Sequence, residues 1–305
     1  MLTETFIQST DQETPIHVAT WTPTKSPVAI LQLVHGMSEY ITRYDEFANF
    51  LNQHRILVVG HDHLGHGLSI HPEKKLYGYF NETDSVNCLV EDCYQVFQQT
   101  KETYPHLPYF ILGHSMGSFI TRIFLTKYAS DLQGAIIMGS ASHHTALPLA
   151  LALTEKLNEL DPTNENPTLN KLAFGSFSKF FDSSSPFSWL SKNQQNVKTY
   201  EADPLMGFVF TNNGFHTLFS LMNQATQTNW YQGIPKHLPI LLISGEKDPV
   251  GSFGKGPVAV ANELAQASFE QITLQLYPDL RHEILNEKEK ELVMTDIYTW
   301  LTKHV

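Results

Sequence analysis

Cysteine, basic residues and long apolar runs are all scarce in this 305-residue chain. Only Cys88 and Cys93 occur. Five residues apart on a helix, they point in different directions, which disfavours a bridge and excludes a disulfide-stapled fold. Two reduced thiols on a core-packing helix suit that spacing. Lys plus Arg total 20 against 31 Asp plus Glu, a formal charge of -11. Such a surface repels phosphate backbones and anionic leaflets, so it argues against nucleic acid as a partner and against a polybasic route to a membrane. A lipid-like substrate reached through an apolar mouth stays open. The strongest apolar run, Pro27 to Val34, is far too short to span a bilayer. Residues 1–15 are polar and acidic without an apolar h-region, so neither a secretory signal nor a stable membrane anchor is expected, and a cytoplasmic location follows.

What is present is an ordinary globular composition, 42% hydrophobic, ample for a large core. Residues 3–8 and 16–21 suit an antiparallel hairpin at a sheet edge. Short apolar strands (Ala29–Val34, Ile56–Val59, Tyr109–Leu112, Ala135–Met138) then alternate with helical patterns (Arg43–His54, Ser85–Tyr104, Met116–Tyr128). This rhythm predicts an α/β fold with a largely parallel sheet covered by helices on both faces. It breaks after Gly139 and resumes with strand Pro239–Ile243, helix Pro257–Gln266, strand Ile272–Tyr277 and a terminal helix from about Lys288. Residues 140–234 carry many large apolar residues, helical stretches such as Leu147–Leu160, and no buried strand. They are expected to form a helical lid (cap) inserted into a core of residues 1–139 and 235–305. No internal repeat is found, and the only low-complexity tract is Ser183-Ser184-Ser185.

Gly113-His114-Ser115-Met116-Gly117 is a G-x-S-x-G match, weak alone. Here it directly follows an apolar strand (YFIL) and directly precedes an amphipathic helix (Phe119, Ile120, Ile123, Phe124), the context a nucleophile elbow requires. A serine hydroxyl needs a base within hydrogen-bond reach. Of fifteen histidines, His282 lies after the last strand, where its loop emerges at the same sheet edge as Ser115. The orienting acid should follow the preceding strand. Asp248 is the choice there, with Glu246 and Asp279 as rivals. Backbone N–H groups of Met116 and Met37 are the expected oxyanion donors, with Gly36 allowing close approach.

With those residues in place, the chain resembles the monoacylglycerol lipase and lysophospholipase branch of the α/β-hydrolases, a branch also labelled serine aminopeptidase-like. The resembling pieces are LVHGMSEYITRY from Leu33, GHDHLGHGLS from Gly60, ILGHSMGS from Ile111, Ser244 to Val250, YPDLRHEILNE from Tyr277, and Trp189-Leu190 with YEADPL from Tyr200. They span nearly the whole chain. The resemblance implies an α/β-hydrolase fold with a mostly parallel eight-stranded sheet, Ser115, Asp248 and His282 as triad, and Met37 and Met116 as oxyanion donors. Leu64 departs from the family's usual arginine in the D-x-R-G-H-G loop, and His143-His144 are unfamiliar.

His61, His63, His66 and His71 invite a metal reading, but real zinc sites need four converging ligands, and a tight structural loop is the expectation. No metal and no cofactor is expected. Candidate substrate contacts are His35, His114, His143, Phe177, Phe181 and Trp189. The lid aromatics either line an acyl pocket or form the lid's own core. The expected function is hydrolysis of small lipophilic esters (monoacylglycerols, lysophospholipids or short-to-medium acyl esters) through an acyl-enzyme. An amidase or peptidase with the same triad is the alternative within enzymes, and a non-catalytic ligand-binding protein the alternative outside them.

Overall fold

A computed structural model describes residues 1–181 and 185–305. Ser183 and Ser184 of the serine tract lie outside the described residues. Eight strands form one sheet in the order β1-β2-β4-β3-β5-β6-β7-β8. The first two, β1 (Leu2–Gln8) and β2 (Pro15–Trp21), are the expected edge hairpin, with Leu2 facing Trp21. β2 meets β4 (Ile56–His61) antiparallel. The strands β3 (Ala29–Val34), β5 (Tyr109–His114), β6 (Gly134–Met138), β7 (Ile240–Gly245) and β8 (Ile272–Tyr277) continue in parallel.

The inner strands β3 to β7 are buried at every position. That is why they read as unbroken apolar runs: helices cover both faces of a parallel sheet. Ile30, Val34, Tyr109, Ile111 and Ile137 pack to one side with α2 (Ser85–Thr103), α3 (Met116–Tyr128) and α8 (Lys255–Gln266). Leu31, Leu33, Phe110, Leu112 and Met138 alternate to the other, under α1 (Asp45–Gln53) and α9 (Lys290–Lys303). The edge strand β8 is only half covered and alternates in burial.

Between β6 and β7 the chain runs through α4 (Leu147–Leu160), α5 (Pro167–Phe174), α6 (Gln194–Ala202) and α7 (Asn212–Thr226). Among the described residues this stretch contributes no strand to the sheet, only an isolated bridge between Glu165 and Thr211. Its α7 packs on α3, placing Phe215, Leu218 and Leu221 in the larger core. The chain steps outward from β3 to β4 and then returns past β3 to β5. The carboxyl ends of β3 and β5 therefore flank a topological switch point, the crevice where open α/β sheets bind ligands.

Candidate functional site

Ser115 is the turn between β5 and α3, with φ 53° and ψ -119°. A non-glycine residue at such a φ costs on the order of 1–3 kcal/mol and persists only where its surroundings enforce it. The flanking glycines show how. A Cβ on Gly113 would fall 2.2 Å from Thr121 Oγ1, and one on Gly117 would fall 2.1 Å from the Val34 carbonyl of β3. The turn folds back on itself and against β3 more closely than any side chain permits. Ser115 is the half-exposed residue in an otherwise buried run from Ile111 to Ile120.

The two other segments the sequence singles out arrive at the same edge. Asp248, fully buried after β7, accepts from the Val250 N–H at 2.9 Å through one carboxylate oxygen. Its other oxygen lies 2.9 Å from His282 Nδ1. The rivals Glu246 and Asp279 are exposed. The bend at Gly139 joins the His282 loop to the Ser115 turn. The Ser115 N–H donates to the Met138 carbonyl at 3.0 Å, and a Cβ on Gly139 would stand 3.2 Å from both His282 Cε1 and His114 Cδ2. No hydrogen bond joins Ser115 Oγ to His282 Nε2 among the described residues. The loop after β3 closes the other side, where a Cβ on Gly36 would lie 3.1 Å from Ser115 Cβ. The Met37 N–H donates to no acceptor among the described residues, and the Met116 N–H is in the first turn of α3, where helix geometry leaves it free.

Sequence reasoning missed what holds that loop. Buried Glu39 accepts from the Gly36 N–H at 2.6 Å, from Tyr44 OH at 2.9 Å and from Arg43 Nη1 at 2.9 Å, and sits 3.2 Å from His114 Nδ1. Burial would raise its pKa, but His114 and Arg43 outweigh burial and hold the carboxyl well below the usual range. Burial would lower His114, yet the Glu39 carboxylate outweighs burial and raises it. The second ring nitrogen of His114 then donates to the His282 carbonyl at 3.3 Å. Arg43 also grips Glu283 at 2.5 and 2.6 Å, and Glu283 accepts from Asn196 of α6 at 2.6 Å. One ionic chain thus links the Gly36 loop, the His282 loop and α6.

The candidate substrate contacts divide. His35 is fully buried, with Nδ1–H donating to the Gly36 carbonyl at 2.8 Å and Nε2 accepting the His63 N–H at 3.0 Å. Its ring, like that of His114, has both nitrogens engaged by groups of the protein and supports the loop. His143 is exposed and without a described side-chain partner. Phe181 packs its ring under Arg281, 4.2 Å from the guanidinium carbon. Trp189 does reach the site: its ring centroid is 5.2 Å from that of His282, and Phe177 backs it edge-on at 5.3 Å. The strap that presents Trp189 is stitched to the His282 loop. The Glu283 N–H donates to the Leu190 carbonyl at 2.8 Å, and Arg281 donates to the carbonyls of Ser188 and Ser191.

His61, His63 and His66 are buried behind the loop, and His35 lies 4.1 Å from His63 between ring centroids. Among the described residues no group of three or more His, Cys, Asp or Glu is arranged to hold a metal ion. Cys88 and Cys93 are buried free thiols. No helix of the described residues is long and apolar enough to cross a membrane.

Comparison with known proteins places the chain in a family. The family profile described as "Serine aminopeptidase, S33" matches residues 25–289. The chain belongs to that family. It is accordingly a hydrolase of the α/β-hydrolase fold, on the monoacylglycerol lipase-like branch. It is similar to the monoacylglycerol lipase of Mycolicibacterium smegmatis (27% identity, covering 93% of this chain and 92% of that one). It is also similar to the monoglyceride lipase of Homo sapiens (29% identity, covering 93% and 85%). Among solved structures, a thermostable carboxyl esterase from Bacillus coagulans in complex with glycerol superposes with a TM-score of 0.93 at 27% identity, covering 99% of this chain and 98% of that one.

Proposed function

We propose that this S33-family hydrolase cleaves carboxylic esters of lipophilic substrates: monoacylglycerols, lysophospholipids or short-to-medium acyl esters. The observation that carries the reading is the strained, half-exposed Ser115 beside the buried His282–Asp248 pair at 2.9 Å. Relatives named monoacylglycerol lipase and a structural neighbour named carboxyl esterase, all above 25% identity over nearly their full length, support the ester over the amide.

In this reading Ser115 Oγ attacks the ester carbonyl while His282 Nε2 takes its proton, and Asp248 stabilises the imidazolium through Nδ1–H. The N–H groups of Met37 and Met116 receive the oxyanion. His282 returns the proton to the departing alcohol, then deprotonates a water that releases the acid from the acyl-enzyme. Residues 140–234 act as a cap over the site, with Trp189 and Phe177 lining the approach to Ser115.

The test is hydrolysis of p-nitrophenyl esters from acetate to palmitate by wild type and Ser115→Ala, with matched anilides in parallel. Turnover by the wild type and a loss of several orders of magnitude in the variant are expected, and the chain-length optimum sizes the pocket. Anilides turning over faster than esters would move the reading to an amidase. Folded wild type that neither turns over nor labels with a fluorophosphonate would move it to a binding protein.

A further inference from the structure

Ser38 follows Met37 in the loop after β3 and is the one residue of the turn from Gly36 to Glu39 in the left-handed region, with φ 53°. Glu39 closes that turn, its carboxylate reaching back three residues to the Gly36 N–H at 2.6 Å. The chain therefore reverses at Met37 and Ser38. A left-handed φ disfavours any residue with a Cβ and persists only where the surroundings enforce it. Here those surroundings belong to the segment between β6 and β7. The Ser38 carbonyl accepts from Tyr200 Oη of α6 at 3.1 Å and from the Gly207 N–H at 3.0 Å. The Ser38 hydroxyl donates to the Phe208 carbonyl at 2.8 Å. Both oxygens of this buried serine are thus bound from 162 to 170 positions further along the chain. The binding side is itself fixed. Tyr200 lies in a small buried cluster with Leu190 and Met206, and the Phe208 ring stands 5.2 Å from that of His66. Gly207 has φ 67°, and a Cβ there would meet Phe187 Cζ and Tyr200 Cε1 at 3.1 Å, so glycine alone permits this approach.

We propose that Ser38 is a positioning residue for ester hydrolysis, through which residues 200–208 hold the loop that carries Met37. The inference rests on the functional reading above, in which the Met37 N–H receives the oxyanion. That N–H has no acceptor among the described residues, and its direction follows from the two residues beside it. Gly36 is tied by Glu39, and Ser38 is tied by Tyr200, Gly207 and Phe208. Without the second tie the left-handed φ loses its support, the turn relaxes, and the Met37 N–H swings away from Ser115. Ser38 itself need not touch the substrate: its carbonyl already takes two donors, and its hydroxyl proton is committed to Phe208.

The test is steady-state hydrolysis of a p-nitrophenyl ester by the full-length wild type, Ser38→Ala, Ser38→Gly and Tyr200→Phe. Active sites are counted by fluorophosphonate labelling to completion, so that a misfolded fraction does not enter kcat. Ser38→Ala keeps the unfavourable φ and loses the tie to Phe208. Its kcat should fall at least tenfold with KM within twofold, because an oxyanion donor acts on charge that develops only in the transition state. Ser38→Gly adopts a left-handed φ unaided and should recover part of that loss. Tyr200→Phe leaves the loop sequence and the buried ring in place. It should lower kcat severalfold at unchanged KM, and it decides the matter if the Ser38 variants do not fold. Values of kcat within twofold of wild type in every folded variant overturn the proposal. So does a rise in KM alone, which would make residues 200–208 a substrate contact instead. Ser115→Ala, run alongside, separates the two readings. Wild-type turnover that depends on Ser115 but not on Ser38 or Tyr200 sinks this inference alone, whereas an inert wild type sinks the ester reading and this inference with it.

Discussion

A single carboxylate, Glu39, carries the geometry of the Gly36 loop. It joins the Gly36 N–H, Tyr44, His114 and Arg43, and through His114 it reaches the His282 carbonyl. Glu39→Gln keeps the shape and removes the charge that balances His114 and Arg43. Losing one partner of a buried ion pair costs about 3–5 kcal/mol when the other charge is stranded, and Arg43 keeps Glu283, so about 3 kcal/mol is expected from urea unfolding. If the loop supplies an oxyanion donor, kcat should fall on the order of 100-fold with KM within twofold, because the donor acts on charge that develops only in the transition state. An unchanged kcat would detach Glu39 from the site. Ser115 was legible in the sequence because an elbow is local: glycine, serine and glycine sit within five residues between a strand and a helix. The ionic chain was not, because Arg43 and Glu283 are 240 positions apart and each charge alone resembles a solvated surface residue.

Among the elements, the strap from Ser188 to Asn193 has the most to hold and the least secondary structure to hold it. Buried Glu287 does much of that. Its carboxylate accepts from Ser191 Oγ at 2.8 Å, the Lys192 N–H at 3.0 Å, the Asn193 N–H at 3.2 Å and the Arg281 N–H at 3.1 Å, tying the strap to the His282 loop. Glu287→Ala leaves those donors without their acceptor. At about 1–3 kcal/mol for each buried group left unsatisfied, a loss of several kcal/mol in unfolding free energy is expected, with limited proteolysis cutting first near residues 185–195. Cleavage elsewhere with the strap still protected would show that Trp189 is held by its aromatic neighbours instead. The strands and the helices of the α/β core were readable to within a few residues, because two-sided burial and one-sided helix burial impose plain periodicities. The segment between β6 and β7 was readable only as helical: α5 is eight residues opened by a proline, and α6 is polar with only Val197 and Tyr200 buried. Neither writes a continuous apolar stripe.

At the scale of the whole molecule, the interior buries a group of neutral histidines, and this sets the response to acid. Burial pushes His61 and His66 down to about 3, holds His63 well below its ordinary value and lowers His35. In the unfolded chain each titrates near 6.5, so unfolding takes up protons that the native state refuses. Their contribution is therefore full above pH 6.5 and is lost progressively as pH falls towards about 3. His17 and His114, raised by carboxylate partners, and Asp92, raised to about 6 by burial, act in the opposite sense. The depressed carboxyls of Glu39, Asp62 and Glu283 add to the loss only below about pH 4.5. Between pH 6.5 and 5.5 the lowered His61, His63 and His66 outweigh the raised groups, so unfolding takes up protons on balance and stability falls with pH. Urea midpoints measured at pH 7.5, 6.5 and 5.5 should therefore fall steeply over the last interval. His61 gives the controlled variant, since neither ring nitrogen has a partner among the described residues. His61→Phe removes one buried titrating group and two unsatisfied atoms, so it should reduce the fall between pH 6.5 and 5.5 by about 1 kcal/mol without lowering stability at pH 7.5. A wild-type midpoint that holds steady from pH 7.5 to 5.5 would mean that these histidines are hydrated and titrate normally in the native fold.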